Sequence, residues 1–147
     1  MPPAEPDETR PARPEDVDDL CRELPGTWFG TSWGDVPTWL VPRHVTKPDE
    51  KGRGFVLYRK PRATAVDPAT GEPYDDLLVV QVGDPAAKAA LVEGEGPFFT
   101  IDHFRNSNAV LVQLSRLPEI TRAELREVIT DAWRAAAPAA LVRELDA

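Results

Sequence analysis

The stretch Leu77-Leu-Val-Val-Gln-Val82 is almost wholly apolar. A run of this length and composition predicts a central β-strand that is covered on at least one face. Three further strand patterns precede it. Thr27–Trp33 is rich in β-branched and aromatic residues, Thr38–Pro42 is a short apolar run, and Gly54–Lys60 alternates as the returning strand of a hairpin. We therefore expect this part of the chain to fold mainly as strands.

Helix signals lie mostly at the two ends of the chain. The predicted helices begin at Pro14, at Asp84-Pro85, at the capping box Thr121-Arg-Ala-Glu124 and at Pro138. Phe98–Phe104 and Ala109–Leu117 add two more predicted strands. Because the strands are grouped together, the pattern predicts an α+β fold in which helices pack on one face of an antiparallel sheet.

Length and composition indicate one domain. The chain has 147 residues, enough for one hydrophobic core and too few for two comfortable ones. Residues 1–13 are rich in Pro and charge, so we expect a disordered tail followed by a single domain over residues 14–147. No run approaches the roughly 20 apolar residues that span a bilayer, and the N-terminus lacks the apolar core of a secretory signal. One cysteine, Cys21, fits a reducing compartment, so we expect a cytoplasmic protein with no membrane partner.

A basic stretch interrupts this acidic chain, whose net charge is −8. Residues 43–62 contain seven basic and two acidic residues, a net charge of +5. We call the seven basic residues the basic island: Arg43, Lys47, Lys51, Arg53, Arg59, Lys60 and Arg62. In a hairpin they would form a cationic wing that can lie along the phosphates of a nucleic acid. The alternative is a solvated loop whose charges neutralise the acidic terminal helix.

Motifs for metal binding or catalysis do not emerge. His44 and His103 are far apart, and one cysteine cannot complete a zinc or transition-metal site. No nucleophile elbow, phosphate-cradling loop or dinucleotide fingerprint is present. Asp16, Asp19 and Glu23 share a predicted helix face, which fits weak binding of a hard cation or, more simply, a solvated polar face. We therefore predict no metal, no cofactor and no catalytic residue, and hence a non-enzymatic protein.

A second candidate site is a cleft lined by aromatic residues and a histidine. Its candidate lining residues are Trp33, Trp39, Phe99 and His103. Alternation in a strand would place Phe99 and His103 on one face, where His103 could lie beside Trp33 or Trp39. A histidine that is hydrogen-bonded near the edge of the core is the alternative. A small-molecule or protein-binding module therefore remains the second functional hypothesis.

Several stretches together are similar to one family. They are Glu23–Gly26, Trp33-Gly34, Gly54–Pro61, Val66–Gly71, Asp76–Val80, Phe98–Phe104, Ala109–Leu114, Asp131–Trp133 and Ala137-Pro138. In this order and spacing they resemble the MmcQ/YjbR-like proteins over about residues 15–145. The resemblance implies a frataxin (CyaY)-like α+β fold, also described as a double wing, and DNA binding, and it supplies no catalytic residues. We therefore expect the basic island to contact DNA weakly.

Overall fold

The computed structural model describes residues 8–32, 36–44, 52–59, 70–71, 77–101 and 104–147. Its elements are α1 (Pro14–Arg22), β1 (Trp28–Ser32), β2 (Val36–Val41), β3 (Arg53–Arg59), β4 (Leu77–Gln81), α2 (Pro85–Val92), β5 (Ala109–Gln113), a 3₁₀ helix (Leu114–Glu119), α3 (Arg122–Ala136) and α4 (Ala139–Asp146). The predicted helix starts are confirmed. The Asp84 carboxylate accepts a hydrogen bond from the Ala87 N–H at 2.7 Å, and the Thr121 hydroxyl accepts one from the Glu124 N–H at 3.1 Å.

The five strands form one antiparallel sheet in the order β1-β2-β3-β4-β5. The pairing of β2 with β3 shifts, because Trp39 pairs with Val56 whereas Leu40 pairs with Gly54. Phe55 is therefore the extra residue of a β-bulge, and both Phe55 and Val56 enter the same core. The sheet and its helices confirm the predicted α+β class.

The two faces of the sheet are covered differently. On one face, strand residues such as Val80 lie in a core with residues of α1, α3 and α4, including the fully buried Trp133. On the other face, Val79 lies in a second core with Phe104, and none of the described residues of that core belongs to α1–α4. Helices therefore pack on one face, as predicted, while the frataxin (CyaY)-like and double-wing descriptions stay predictions. Each described helix is too short or too polar to traverse a bilayer.

The predicted strand over residues 98–104 is wrong for its described part. Phe99 forms only an isolated bridge with Leu111, through backbone hydrogen bonds of 2.9 and 2.8 Å. The chain then turns, and the Phe104 N–H donates to the Ile101 carbonyl at 2.9 Å. Because of this turn, Ile101 and Phe104 pack on the second core. The apolar pattern that resembled a strand therefore covers the sheet instead of extending it.

The N-terminal segment is a second correction. Residues 8–13, which composition assigns to a disordered tail, pack against the start of α3. Ala12 is fully buried, its N–H donates to the Ile120 carbonyl at 2.9 Å, and Pro11 bridges Thr121. The tail prediction is wrong for residues 8–13, because composition does not reveal the distant backbone groups that satisfy them. Residues 1–7 lie outside the described residues.

A buried ion pair joins α1 to α3. The side chains of Asp16 and Arg122 are 4% and 3% exposed, and Arg122 Nε donates to Asp16 Oδ1 at 3.4 Å. Arg10 donates to both carboxylate oxygens of Asp16 at 2.6 and 2.9 Å, and the Arg13 N–H donates to the same carboxylate at 2.8 Å. Glu8 accepts a hydrogen bond from Arg122 Nη1. Asp16 is therefore not on the solvated face that the acidic pattern of α1 indicates.

Opposed effects set the pKa of Asp16. Burial by itself raises that pKa, but the hydrogen bonds from Arg10 and the Arg13 N–H and the charges of Arg10 and Arg122 outweigh it, so the pKa lies below its ordinary value. The pKa of Glu8 is also lowered, chiefly by its hydrogen bond from Arg126. Folding therefore favours the ionised form of both carboxyl groups.

Replacing Asp16 by Asn is expected to lower the free energy of unfolding at pH 7 by about 3 kcal/mol, because the buried Arg122 guanidinium loses its buried carboxylate and keeps only the partly exposed Glu8. The native pKa of Asp16 is depressed. Its contribution is therefore fully present above the unfolded pKa of about 3.9 and is lost as the pH falls through the native value. The difference between wild type and variant should narrow below about pH 4. Urea denaturation followed by tryptophan fluorescence at several pH values measures both effects.

The matched control is Asp19→Asn on the same helix. Asp19 pairs with Arg22 at 3.2 Å, but its side chain is 58% exposed, so the expected loss is below about 1 kcal/mol. An Asp16→Asn unfolding curve at pH 7 that superimposes on the wild-type curve would contradict the prediction.

Candidate functional site

The β2–β3 hairpin carries the described part of the basic island. Val41 pairs with Arg53 at the end of this hairpin, and Arg43 and Arg53 are both exposed there. Arg53 is the first residue of β3, and Arg59 is the last residue of that strand. The other members, Lys47, Lys51, Lys60 and Arg62, lie outside the described residues. Two predicted site residues therefore meet at one end of the sheet.

The Trp28 ring lies against Gly52, the residue that precedes Arg53 and accepts a hydrogen bond from Arg43. Gly52 has a φ of +57°, and a Cβ there would lie 2.5 Å from the Trp28 ring, so glycine is required. The Gly52 carbonyl accepts a hydrogen bond from Arg43 Nε at 3.3 Å. On its other side, the indole passes Gly30, where a Cβ would lie 3.4 Å from Trp28 Nε1. Gly52 thus lets the half-buried Trp28 lie against the backbone beside Arg53 and the hydrogen bond from Arg43.

Arg59 occupies a different part of the surface. A strand rises about 3.3 Å per residue, so Arg53 and Arg59 lie roughly 20 Å apart along β3. The guanidinium carbon of Arg59 is 4.8 Å from the centre of the Phe104 ring, a cation–π contact at the edge of the second core. In the described residues, the basic island is therefore divided and does not form one patch.

The predicted ligand cleft is wrong for its two described members. Trp39 is 5% exposed and lies in the core on the helix face. Phe99 packs against the core on the opposite face, next to β5. The sheet separates the two rings, because strand alternation does not tell which face two distant aromatic residues share. Trp33 and His103 lie outside the described residues.

Trp39 belongs instead to an aromatic group around Asp18. Asp18 Oδ1 accepts hydrogen bonds from Trp39 Nε1 at 2.8 Å and from the Tyr58 hydroxyl at 2.6 Å. Phe29, 52% exposed, packs on Trp39 with ring centres 5.2 Å apart, and Arg22 lies 5.8 Å from the centre of the Trp39 ring. Burial is the largest cause that raises the pKa of Tyr58. The hydrogen bond to Asp18 and the negative charge of Asp18 raise this pKa further. The phenol therefore stays protonated and donates, which ties α1 to the sheet.

No sequence signal pointed to this group, since Asp18 lies 21 and 40 residues from its two donors. Nearby, burial raises the pKa of the Cys21 thiol, and the charge of Asp18 raises it further, so this cysteine stays a neutral thiol of the core. The described part of the chain holds no group of three His, Cys, Asp or Glu side chains that could share a metal ion. The hairpin end, by contrast, offers a ring and two exposed positive charges.

Three mycobacterial proteins and one crystal structure are similar to this chain. Uncharacterized proteins of Mycobacterium bovis and of two Mycobacterium tuberculosis strains are each 42% identical to it over 98 residues, 63% of this chain and 74% of the relative. A Deinococcus radiodurans crystal structure with a DUF419 domain matches with a TM-score of 0.56 and 17% identity, over 95% of this chain and 91% of that chain. At that identity the likeness concerns the fold alone.

The family itself is established by a wider match. The YjbR family model matches residues 22–135, a range that contains all five strands, the β2–β3 hairpin and nearly all of α3. This match confirms the resemblance to the MmcQ/YjbR-like proteins that the sequence indicated. Because the model covers more than half of the chain, the chain belongs to the YjbR family.

Proposed function

We propose that this protein is a cytosolic, non-enzymatic binding protein whose β2–β3 hairpin contacts nucleic acid, most readily a single strand. The observation that carries the proposal is the junction at Gly52, where the half-buried Trp28 ring lies beside the exposed Arg43 and Arg53. Proteins that bind single strands combine cationic side chains along the phosphates with aromatic rings on which bases stack. The hairpin end has both components in one place.

The chemistry of each part fits this role. A guanidinium group donates two parallel hydrogen bonds to a phosphate, and each neutralised phosphate releases counterions. An indole ring stacks on any base, which makes the contact tolerant of sequence. In the sequence, Lys47 and Lys51 lie between Arg43 and Arg53, together with Asp49 and Glu50. The net charge of −8 keeps the interaction weak and confined to this end of the molecule.

Charge reversal at the hairpin is expected to weaken the binding of a short, fluorescein-labelled oligothymidylate. Three to five phosphate contacts to a single strand give log K a slope of about −2 to −3.5 against log salt concentration. Replacing both Arg43 and Arg53 by Glu removes two of these contacts and should make the slope shallower by about 1.4. Fluorescence anisotropy over a series of salt concentrations, starting at low salt, measures both quantities.

The matched control reverses Arg105 and Arg116, two exposed arginines outside the hairpin, and changes the net charge equally. The control variant should keep most of the affinity and the wild-type slope. A flat salt dependence in the wild type, or an equal loss in both double variants, would show that the hairpin is not the contact surface.

Replacing Trp28 by Ala tests the stacking contact separately from the charges. It is expected to weaken binding by about 1–3 kcal/mol, the range for one stacked base, without changing the salt slope. Trp28→Phe keeps a ring and should retain part of the affinity. Circular dichroism establishes whether each variant is folded, and anisotropy gives its affinity. An unchanged affinity in a folded Trp28→Ala variant would remove the ring from the binding surface.

A further inference from the structure

A cleft of about 310 Å³ lies between α2 and α3. It is lined by Val82, Ala87, Ala90, Leu91, Phe98, Glu124, Glu127, Val128 and Asp131. Its volume falls at the lower end of the range for small-molecule sites, roughly 300–1,000 Å³. None of these residues belongs to the hairpin, so the cleft is independent of the nucleic-acid contact.

The cleft stays open because of the side chains that face each other across it. Ala87 and Ala90 are three residues apart on α2 and are too small to reach α3. On α3, Glu124, Glu127 and Asp131 follow one another on one face at helical spacing, and all three are exposed. Carboxylates resist burial against an apolar surface, so the two helices leave a gap between them.

The floor and the rim of this gap have different chemistry. Val82, Phe98 and Val128 are buried apolar residues at its base. The rim consists of the three carboxylates, and within the described ranges none of them forms an ion pair with a basic side chain. The cleft therefore combines an apolar pocket with three carboxylates that form no ion pair within the described ranges, although the charge of Arg134 also acts on Asp131.

The two nearby cations, Lys88 and Arg134, form their hydrogen bonds with groups outside the rim of the cleft. Lys88 is the single basic residue of α2, and its Nζ donates to the Phe104 and Ser107 carbonyls at 2.7 Å each. Lys88 thereby lines a separate cleft of about 400 Å³ and none of the α2–α3 cleft. Arg134, near the end of α3, forms a bidentate pair with Asp146 at 2.7 and 3.0 Å.

We propose that the α2–α3 cleft binds a small amphipathic cation, an organic amine with an apolar body. The apolar body packs on Val82, Phe98 and Val128, and the ammonium group lies at Glu127 and Asp131. The negative rim favours a ligand with a positive charge, and the recessed apolar floor favours a ligand with an apolar body. A partner helix is about 10 Å wide and does not enter a gap of this size, so the occupant is a small molecule.

The probe for this site is 2-phenylethylamine, added to ¹⁵N-labelled protein and followed by two-dimensional NMR. The amine is expected to shift the amide signals of Leu91, Phe98 and Val128 in a saturable way. Its uncharged counterpart, 2-phenylethanol, should bind at least about threefold more weakly, since it lacks the charge that pairs with the rim. The anion 3-phenylpropionate should not bind. Equal binding of amine and alcohol, or amine-induced shifts confined to other parts of the molecule, would overturn the proposal.

Two variants locate the contacts. Glu127→Gln combined with Asp131→Asn should raise the dissociation constant of the amine by about threefold to tenfold. The control pair Glu15→Gln and Glu144→Gln makes the same change of net charge at exposed positions outside the cleft and should leave the dissociation constant unchanged. Ala90→Phe fills the cleft from an exposed position and should abolish the shifts. An unchanged dissociation constant in the Glu127/Asp131 double variant would show that the rim carboxylates play no part.

Discussion

The helix layer of this protein depends on the buried ion pair between Asp16 and Arg122. Taking two charges out of water costs several kcal/mol for each ion, and the pair is stable only if further hydrogen bonds satisfy both groups. Here Arg10 and the Arg13 N–H donate further hydrogen bonds to the Asp16 carboxylate. Glu8 accepts a further hydrogen bond from the Arg122 guanidinium. If either helix moved away from the other, the two buried charges would lose each other and keep only the partly exposed partners Arg10 and Glu8. The pair therefore fixes the N-terminal turns of α1 and α3 side by side and holds the segment before α1 in place.

The position of α3 has consequences for the surface. Arg122 lies in the first turn of α3, so the ion pair also determines where Glu124, Glu127 and Asp131 stand relative to α2. The width of the α2–α3 cleft follows from that placement and from the small alanines opposite. The hairpin end is set by a different constraint, the strand register that brings Trp28 to Gly52. An acidic cleft and a basic hairpin thus arise from separate parts of the fold.

What the sequence could predict was local. The helices that begin at Pro14 and behind Thr121 were predictable because their start signals lie within four residues, and β4 because its run is apolar. The burial of Asp16 was not, since its partner Arg122 lies 106 residues away. Contacts between residues that are distant in sequence also explain why the candidate site was only partly predictable. The charge of the basic island is visible in the composition, whereas the place of Trp28 beside Arg43 and Arg53 depends on the pairing of three strands. The α2–α3 cleft depends on which helix faces meet, which periodicity leaves undetermined.

The net charge of −8 and a basic hairpin are compatible because electrostatic range in solution is short. At physiological ionic strength the screening length is about 8 Å, less than half of the roughly 20 Å that separates the two ends of β3. A phosphate at the hairpin end would therefore experience chiefly the charges of Arg43 and Arg53. A long, stiff duplex would also bring phosphates close to acidic surface, whereas a flexible single strand can present a few phosphates to this end alone. For the proposed function, this charge distribution would favour a short, flexible polyanion over a duplex, and Trp28 would add a stacking surface.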